Sequence, residues 1–234
     1  MLAEIEADIT SGQRMLRLLQ GDVGAGKTLV ALMAMLRAVE AGAQAALMAP
    51  TELLARQHLR SFERLCGAAG VPVALLAGSV KGKERRRVLQ GLADGTLPIV
   101  VGTHALFQEG VAFKDLGLAV VDEQHRFGVA QRLMLAEKGQ AADMLVMTAT
   151  PIPRTLAMTL YGDMDISVID ELPPGRKPIQ TSWKTDASRV RVFGFMEEEI
   201  RKGRQIYVVY PLIAESEALD YKDLEDGYES IVRR

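Results

Sequence analysis

Gly21, Gly26, Lys27 and Thr28 stand at the spacing G-x-x-x-x-G-K-[ST] within the run "LLQGDVGAGKTLVAL". Glycine is entropically costly, and it concentrates where a backbone must bend unusually or come close to something. In this pattern the loop runs from Gly21 through Asp22, Val23, Gly24, Ala25 and Gly26 to Lys27 and Thr28. Its backbone N–H groups would curl around phosphates at the start of a helix. Lys27 would reach the β and γ phosphates of a nucleotide, and the Thr28 hydroxyl would ligate Mg²⁺. A second group, "LAVVDEQH", ends in Asp122, Glu123, Gln124 and His125. A carboxylate at the tip of a neighbouring strand is where such a metal needs its second anchor, the role expected of Asp122. Glu123 is placed to orient or deprotonate the attacking water. The three histidines, His58, His104 and His125, lack the spacing of a metal-ligand set.

Holding these groups requires strands that end beside one another. Short apolar runs alternate with longer amphipathic ones: "LRLLQ", "AALMAP", "PVALLAG", "PIVVGT", "LGLAVVDE" and "DMLVMTAT" read as strands, and "MDISVID" as one more. Helices are expected over Lys27 to Glu40, Glu52 to about Ala69, "KGKERRRVLQGLADG", and Pro153 to about Leu160. Alternation of this kind predicts an α/β fold, a parallel sheet with helices on both faces. Ligands in such sheets sit at the carboxyl ends of the strands, where both motifs fall. "DELPPGRKP" breaks the pattern with adjacent prolines and a glycine and reads as a linker. After it, "IQTSW", a helix through "ASRVRVFGFMEEEIRKG" and a strand "QIYVVYPL" open a second α/β unit too small to close a core by itself.

With 234 residues, 48% of them hydrophobic and a net charge of -2, the chain affords one ordinary core and announces no global basic field. The one cysteine, Cys66, excludes an internal disulfide. It falls on an apolar stripe with Leu54, His58, Phe62, Leu65 and Ala69 and reads as core. Glu4, Glu6 and Asp8 stand where a signal peptide would be apolar, and no run reaches the ~20 residues of a membrane span, so a cytoplasmic protein is expected. "KGKERRR", Lys81 to Arg87, reads as a solvated helix face before a DNA patch.

The phosphate loop, "DEQH" and "TAT", in this order, resemble a superfamily 2 helicase of the DExH type. "MAPTELLARQH", "VGTHALFQ", "VVDEQHRFGVAQR", "MTATPIPRTLAMTLYGDMDISVIDELPPGRKPIQT" and "IYVVYPLIAESE" resemble the RecG family of bacterial branched-DNA translocases nearly end to end. The Mfd transcription-repair coupling translocases are similar, but usually carry "DEEH" and lack the "IDELPPGRKPI" linker. Gln124 and the stretch Asp170 to Ile179 therefore favour the former.

The resemblance implies a RecA-like P-loop NTPase motor that uses ATP and Mg²⁺ and acts on branched DNA in recombination and replication-fork repair, in the cytoplasm at the bacterial nucleoid. Residues 1–170 would be the first motor lobe, 171–178 a linker and 179–234 the start of a second lobe. Lys27, Asp122, Glu123, Gln124 and His125 would form the catalytic set. Pro50, Thr51 and Arg56, Gly78 and Ser79, and Gly102, Thr103 and His104 would hold DNA phosphates. Thr148 and Thr150 would couple hydrolysis to movement through His125 or the switch around it, and Arg126 to Arg132 would sit near DNA. Read as such, these residues carry neither a branch-engaging wedge domain, an adenine-contacting glutamine motif, nor a G-R-x-G-R arginine motif. Arg176, Lys177 and Arg204 lie in no motif that would aim them at a phosphate, so very poor hydrolysis is expected of this chain alone. The alternative from another class is a nucleotide-binding or interaction module without motor activity, which sequence-independent DNA binding would separate from a motor lobe.

Overall fold

The computed structural model describes residues 1–108, 110–122, 142–150, 164–171, 175–176, 179–210 and 228. The chain divides into two compact units, Met1–Arg176 and Lys177–Arg234. The first contains α1 (Leu2–Thr10), β1 (Leu16–Gly21), α2 (Lys27–Glu40), β2 (Gln44–Met48), α3 (Glu52–Cys66), β3 (Val73–Leu76), α4 (Gly82–Asp94), β4 (Ile99–Gly102), β5 (Leu116–Asp122), β6 (Asp143–Thr148) and β7 (Asp165–Ile169). The seven strands form one sheet in the order β3-β4-β2-β5-β6-β1-β7, and every pairing is parallel. The expected α/β class is borne out.

The middles of β2 and β5 are apolar because both sheet faces are covered there. In β2, Ala45 and Leu47 pack into a core with α1, α2 and α3, while Ala46 and Met48 pack on the opposite face with Val88 and Leu92 of α4. In β5, Leu118 and Val120 face the first cluster and Ala119 and Val121 the second. This alternation fixes the register, since a one-residue slip would exchange the two faces.

Local signals start and stop the helices. Gly26, with φ 91°, turns the loop into α2, and Thr51 caps α3 by accepting the Leu54 N–H at 3.3 Å. Gly95, with φ 82°, ends α4 in the left-handed conformation. On α3 the buried stripe is Ala55, His58, Phe62 and Cys66. Leu65, expected in that stripe, is exposed, as is Ala69 in the short turn beyond the helix, because the helical repeat carries both off the core-facing side.

The sequence reading gave no helix to residues 2–10. α1 forms there, and Ile5 is buried against α2. Arg17 of β1, itself buried, ties α1 down: its Nε donates to Asp8 Oδ2 at 2.6 Å and its Nη1 to Ser167 of β7 at 2.9 Å. Ser167 in turn donates to Glu4.

In the second unit, α5 (Arg189–Arg201) forms as expected. Glu199 near its end accepts from Lys202 at 2.8 Å and from Arg204. Residues 205–210, expected as a strand, have no regular structure, nor has "IQTSW", and Trp183, Tyr207 and Val209 are exposed. A strand needs a neighbour to satisfy its N–H and C=O groups, and none pairs with these segments among the described residues. The helix expected from Pro153 lies outside the described residues. Among the described residues no helix is long and apolar enough to cross a membrane.

Candidate functional site

Strand register brings the chemistry to one edge. Gln20 pairs with Thr148, Met147 with Asp122, Met48 with both Val121 and Gly102, and Gly102 with Leu76. The carboxyl ends of β1, β6, β5, β2, β4 and β3 are therefore level. The glycine loop leaves β1, Asp122 ends β5, and Thr148 ends β6.

Within the loop, Gly24 and Gly26 have φ of 83° and 91°, a conformation glycine adopts without cost, and a Cβ on Gly26 would point into open space. Gly21 is glycine for a different reason: a Cβ there would stand 3.0 Å from the Ile169 Cβ of β7. Its value is close strand packing rather than a turn. Ala25 N–H donates to Asp22 O at 3.1 Å, and Val23 N–H to Asp22 Oδ1 at 2.7 Å. Lys27 is buried, with Nζ donating to Gly21 O at 2.8 Å and Asp22 O at 2.9 Å. Its ammonium is thus held by carbonyl groups of the loop that leads into α2.

Among the described residues, two that no motif aims at this site join it. Arg176 donates from Nη1 to Asp22 Oδ2 at 2.9 Å and to Val23 O at 3.2 Å. It lies in no recognisable motif, yet the fold aims it at the loop. His58, read as a core residue, is buried on α3 and places Nε2 2.7 Å from Asp122 Oδ2. Its ring also lies 6.2 Å, centroid to centroid, from Phe62. Spacing along the chain could not show either partner, since 64 and 153 or more positions separate the pairs.

The donors fit a magnesium-bound nucleotide. Thr28 and Asp122 offer the hard oxygen ligands that Mg²⁺ prefers, and the open space over Gly26 leaves room for a phosphate. Thr148 is buried, its hydroxyl 2.8 Å from that of Thr150. Glu123, Gln124, His125 and the segment Arg126 to Arg132 lie outside the described residues, as does Lys177. Arg204 belongs to the second unit, against Glu199.

The other half of the edge carries exposed turns. Arg56 donates from Nε and Nη2 to Glu52 Oε1 at 2.9 and 2.8 Å, and from Nη2 to Ser79 Oγ at 2.8 Å. Ser79 donates to Glu52 as well. Thr51, Gly78, Ser79 and His104 are exposed and Pro50 half-buried, whereas Gly102 and Thr103 are buried. A Cβ on Gly102 would meet the Leu76 carbonyl oxygen and the Leu106 side chain, so packing alone requires that glycine. Lys81 to Arg87 are exposed except for the half-buried Arg85, which donates to Gln108 at 3.0 Å.

A family profile described as DEAD/DEAH box helicase matches residues 3–159. The chain is 56% identical over 222 residues to the ATP-dependent DNA helicase RecG of Streptococcus pneumoniae and 55% identical over 228 residues to that of Bacillus subtilis. These alignments cover 95% and 97% of this chain but 33% of each relative, so the chain spans about a third of the length of the curated relatives it matches. A solved structure of RecG bound to a three-way DNA junction superposes with a TM-score of 0.79 at 43% identity, over 99% of this chain and 30% of that one. The helicase domain of Hef from Pyrococcus furiosus, 20% identical with a TM-score of 0.55 over 86% of this chain and 54% of that one, shares the fold. The resemblance drawn from the motifs is borne out by these relatives.

Proposed function

Because this chain belongs to the DEAD/DEAH box helicase family, we propose that it supplies the ATP-binding part of a DNA-translocating motor. The level register that sets the glycine loop beside Asp122 and Thr148 carries the reading. Residues 1–170 act as the first motor lobe, 171–178 as a linker and 179–234 as the opening of a second lobe. Similarity to a junction-bound RecG supports branched DNA as the substrate, and with it work in recombination and replication-fork repair at the bacterial nucleoid.

The roles rest on the motifs, and the strand ends that carry Asp122 and Thr148 support them. Lys27 exchanges its carbonyl partners for β and γ phosphate oxygens, a charge-assisted contact stronger than the neutral ones it holds. Thr28 and Asp122 would hold Mg²⁺, which when bound would supply positive charge against the phosphates. Glu123 would orient the attacking water, and the resemblance assigns Gln124 and His125 to the same catalytic set. Thr148 and Thr150 relay the state of that site. Thr51, Arg56, Ser79 and His104 bind DNA phosphates without reading bases.

Calorimetric titration of ATP with Mg²⁺ tests this. Lys27→Ala is expected to lower affinity by about a hundredfold, the scale of a lost hydrogen bond to a charged group. Unchanged affinity in that variant would remove the phosphate assignment.

A further inference from the structure

We infer that His58 is a positioning residue for Asp122, through which helix α3 sets the geometry of the metal-binding carboxylate. This rests on the nucleotide reading above and names a residue that reading does not use.

His58 and Asp122 are each 8% exposed. On α3 the buried neighbours of His58 are Ala55, Phe62 and Cys66, a surface that any apolar side chain could complete. An imidazole there loses its hydration, and only a partner offsets that cost. The partner is Oδ2 of Asp122, at 2.7 Å. An ionised carboxylate only accepts, so the ring nitrogen donates. A carboxylate tethered through one oxygen has its rotamer fixed and presents the other, Oδ1, in a set direction.

The connection also crosses a boundary in the sheet. α3 follows β2, Asp122 ends β5, and β2 and β5 are neighbours. The same helix starts at Thr51 and carries Arg56, both proposed to hold DNA phosphates. His58 lies seven residues beyond Thr51, about 10 Å along the axis. A ligand that shifts the start of α3 thereby shifts the hydrogen-bond donor to the metal ligand. Hydrogen-bond partners of this kind commonly alter metal affinity by roughly 10–100-fold.

The test uses the 234-residue chain, the ATP analogue AMP-PNP and Mn²⁺ monitored by electron paramagnetic resonance. His58→Leu fills the space without a donor, and His58→Gln keeps a donor. Leu is expected to weaken Mn²⁺ binding at least about tenfold while analogue binding in EDTA stays within about twofold, and Gln is expected to recover most of the loss. Equal Mn²⁺ affinity in Leu and wild type would overturn the inference, as would a loss that Gln fails to recover, which would indicate packing alone. Should Leu not fold, the wild type decides: the nitrogen resonance of the His58 ring is expected to move when Mg²⁺ is added to the analogue-loaded chain, and an unmoved resonance overturns the proposal. Wild-type chain that binds no analogue even in EDTA would overturn the nucleotide reading itself, and this inference with it.

Discussion

On one half of the sheet, β1, β5 and β6 end in groups that are buried and internally paired: Lys27 on loop carbonyls, Asp122 on His58, Thr148 on Thr150. On the other half, β2 and β3 lead into exposed turns, where Arg56 and Ser79 are bonded to each other and to Glu52 and the Thr51 hydroxyl caps the start of α3. The edge is the same and its treatment opposite. A small ligand that must be held to a fraction of an ångström is served by charges fixed before it arrives. A long polyanion that slides is served by cations held in water by partners they can leave cheaply.

The contrast can be broken most sharply at the loop. Gly26→Val forces a β-branched residue into φ 91°, so the turn relaxes. ATP affinity is expected to fall by about a hundredfold, with strain of order 1–3 kcal/mol behind it. Calorimetry beside a thermal melt reads both, and unchanged affinity would mean that the buried half is less fixed than described.

Thr51→Ala tests the exposed half. It removes the cap on Leu54 N–H, and the loss is expected to be about 1 kcal/mol in urea unfolding, with DNA affinity down only a few-fold. A DNA defect as large as the Gly26→Val nucleotide defect would erase the distinction between the halves.

Glu52→Gln sharpens it with the smallest effect. Releasing Arg56 is expected to strengthen DNA binding a few-fold and to steepen its salt dependence by about one phosphate contact, equally for two oligonucleotides of unrelated sequence. The Ser79 hydroxyl, and after it Arg56, hold the Glu52 carboxyl below its ordinary range. A carboxyl lowered on folding contributes its interaction at pH above the ordinary glutamate value and loses it as pH falls through the lowered one. The wild type should therefore match the Gln variant only in acid below the ordinary glutamate range. Fluorescence anisotropy across salt and pH would show it, and a strong preference for one oligonucleotide would contradict phosphate-only contact.

Sequence pattern made the buried half legible because its determinants are local. The lysine after the glycine turn marks the start of α2, and the aspartate closing an apolar run marks the end of β5. The bounds of α2, Lys27–Glu40, follow from the glycine before it and the period within it. Short α1 was missed although Leu2, Ile5 and Ile9 carry a helical spacing, because nine residues give that period little room. The partners of His58 and Arg176 are tertiary facts and leave no trace in spacing. Residues 205–210 show the converse limit: a β-prone run says nothing about whether a neighbour lies alongside.

Cys66 is the one thiol in the sequence, it is buried at the end of α3, and burial pushes its pKa up. Little of it is thiolate at neutral pH, and reagents reach it only when the helix end opens. Its modification rate is therefore a clock for local opening on the very helix that joins the two halves. Followed with a chromogenic disulfide in the presence of nucleotide, DNA or both, that clock would time how often α3 lifts from the sheet, with no label added and no competing cysteine to correct for.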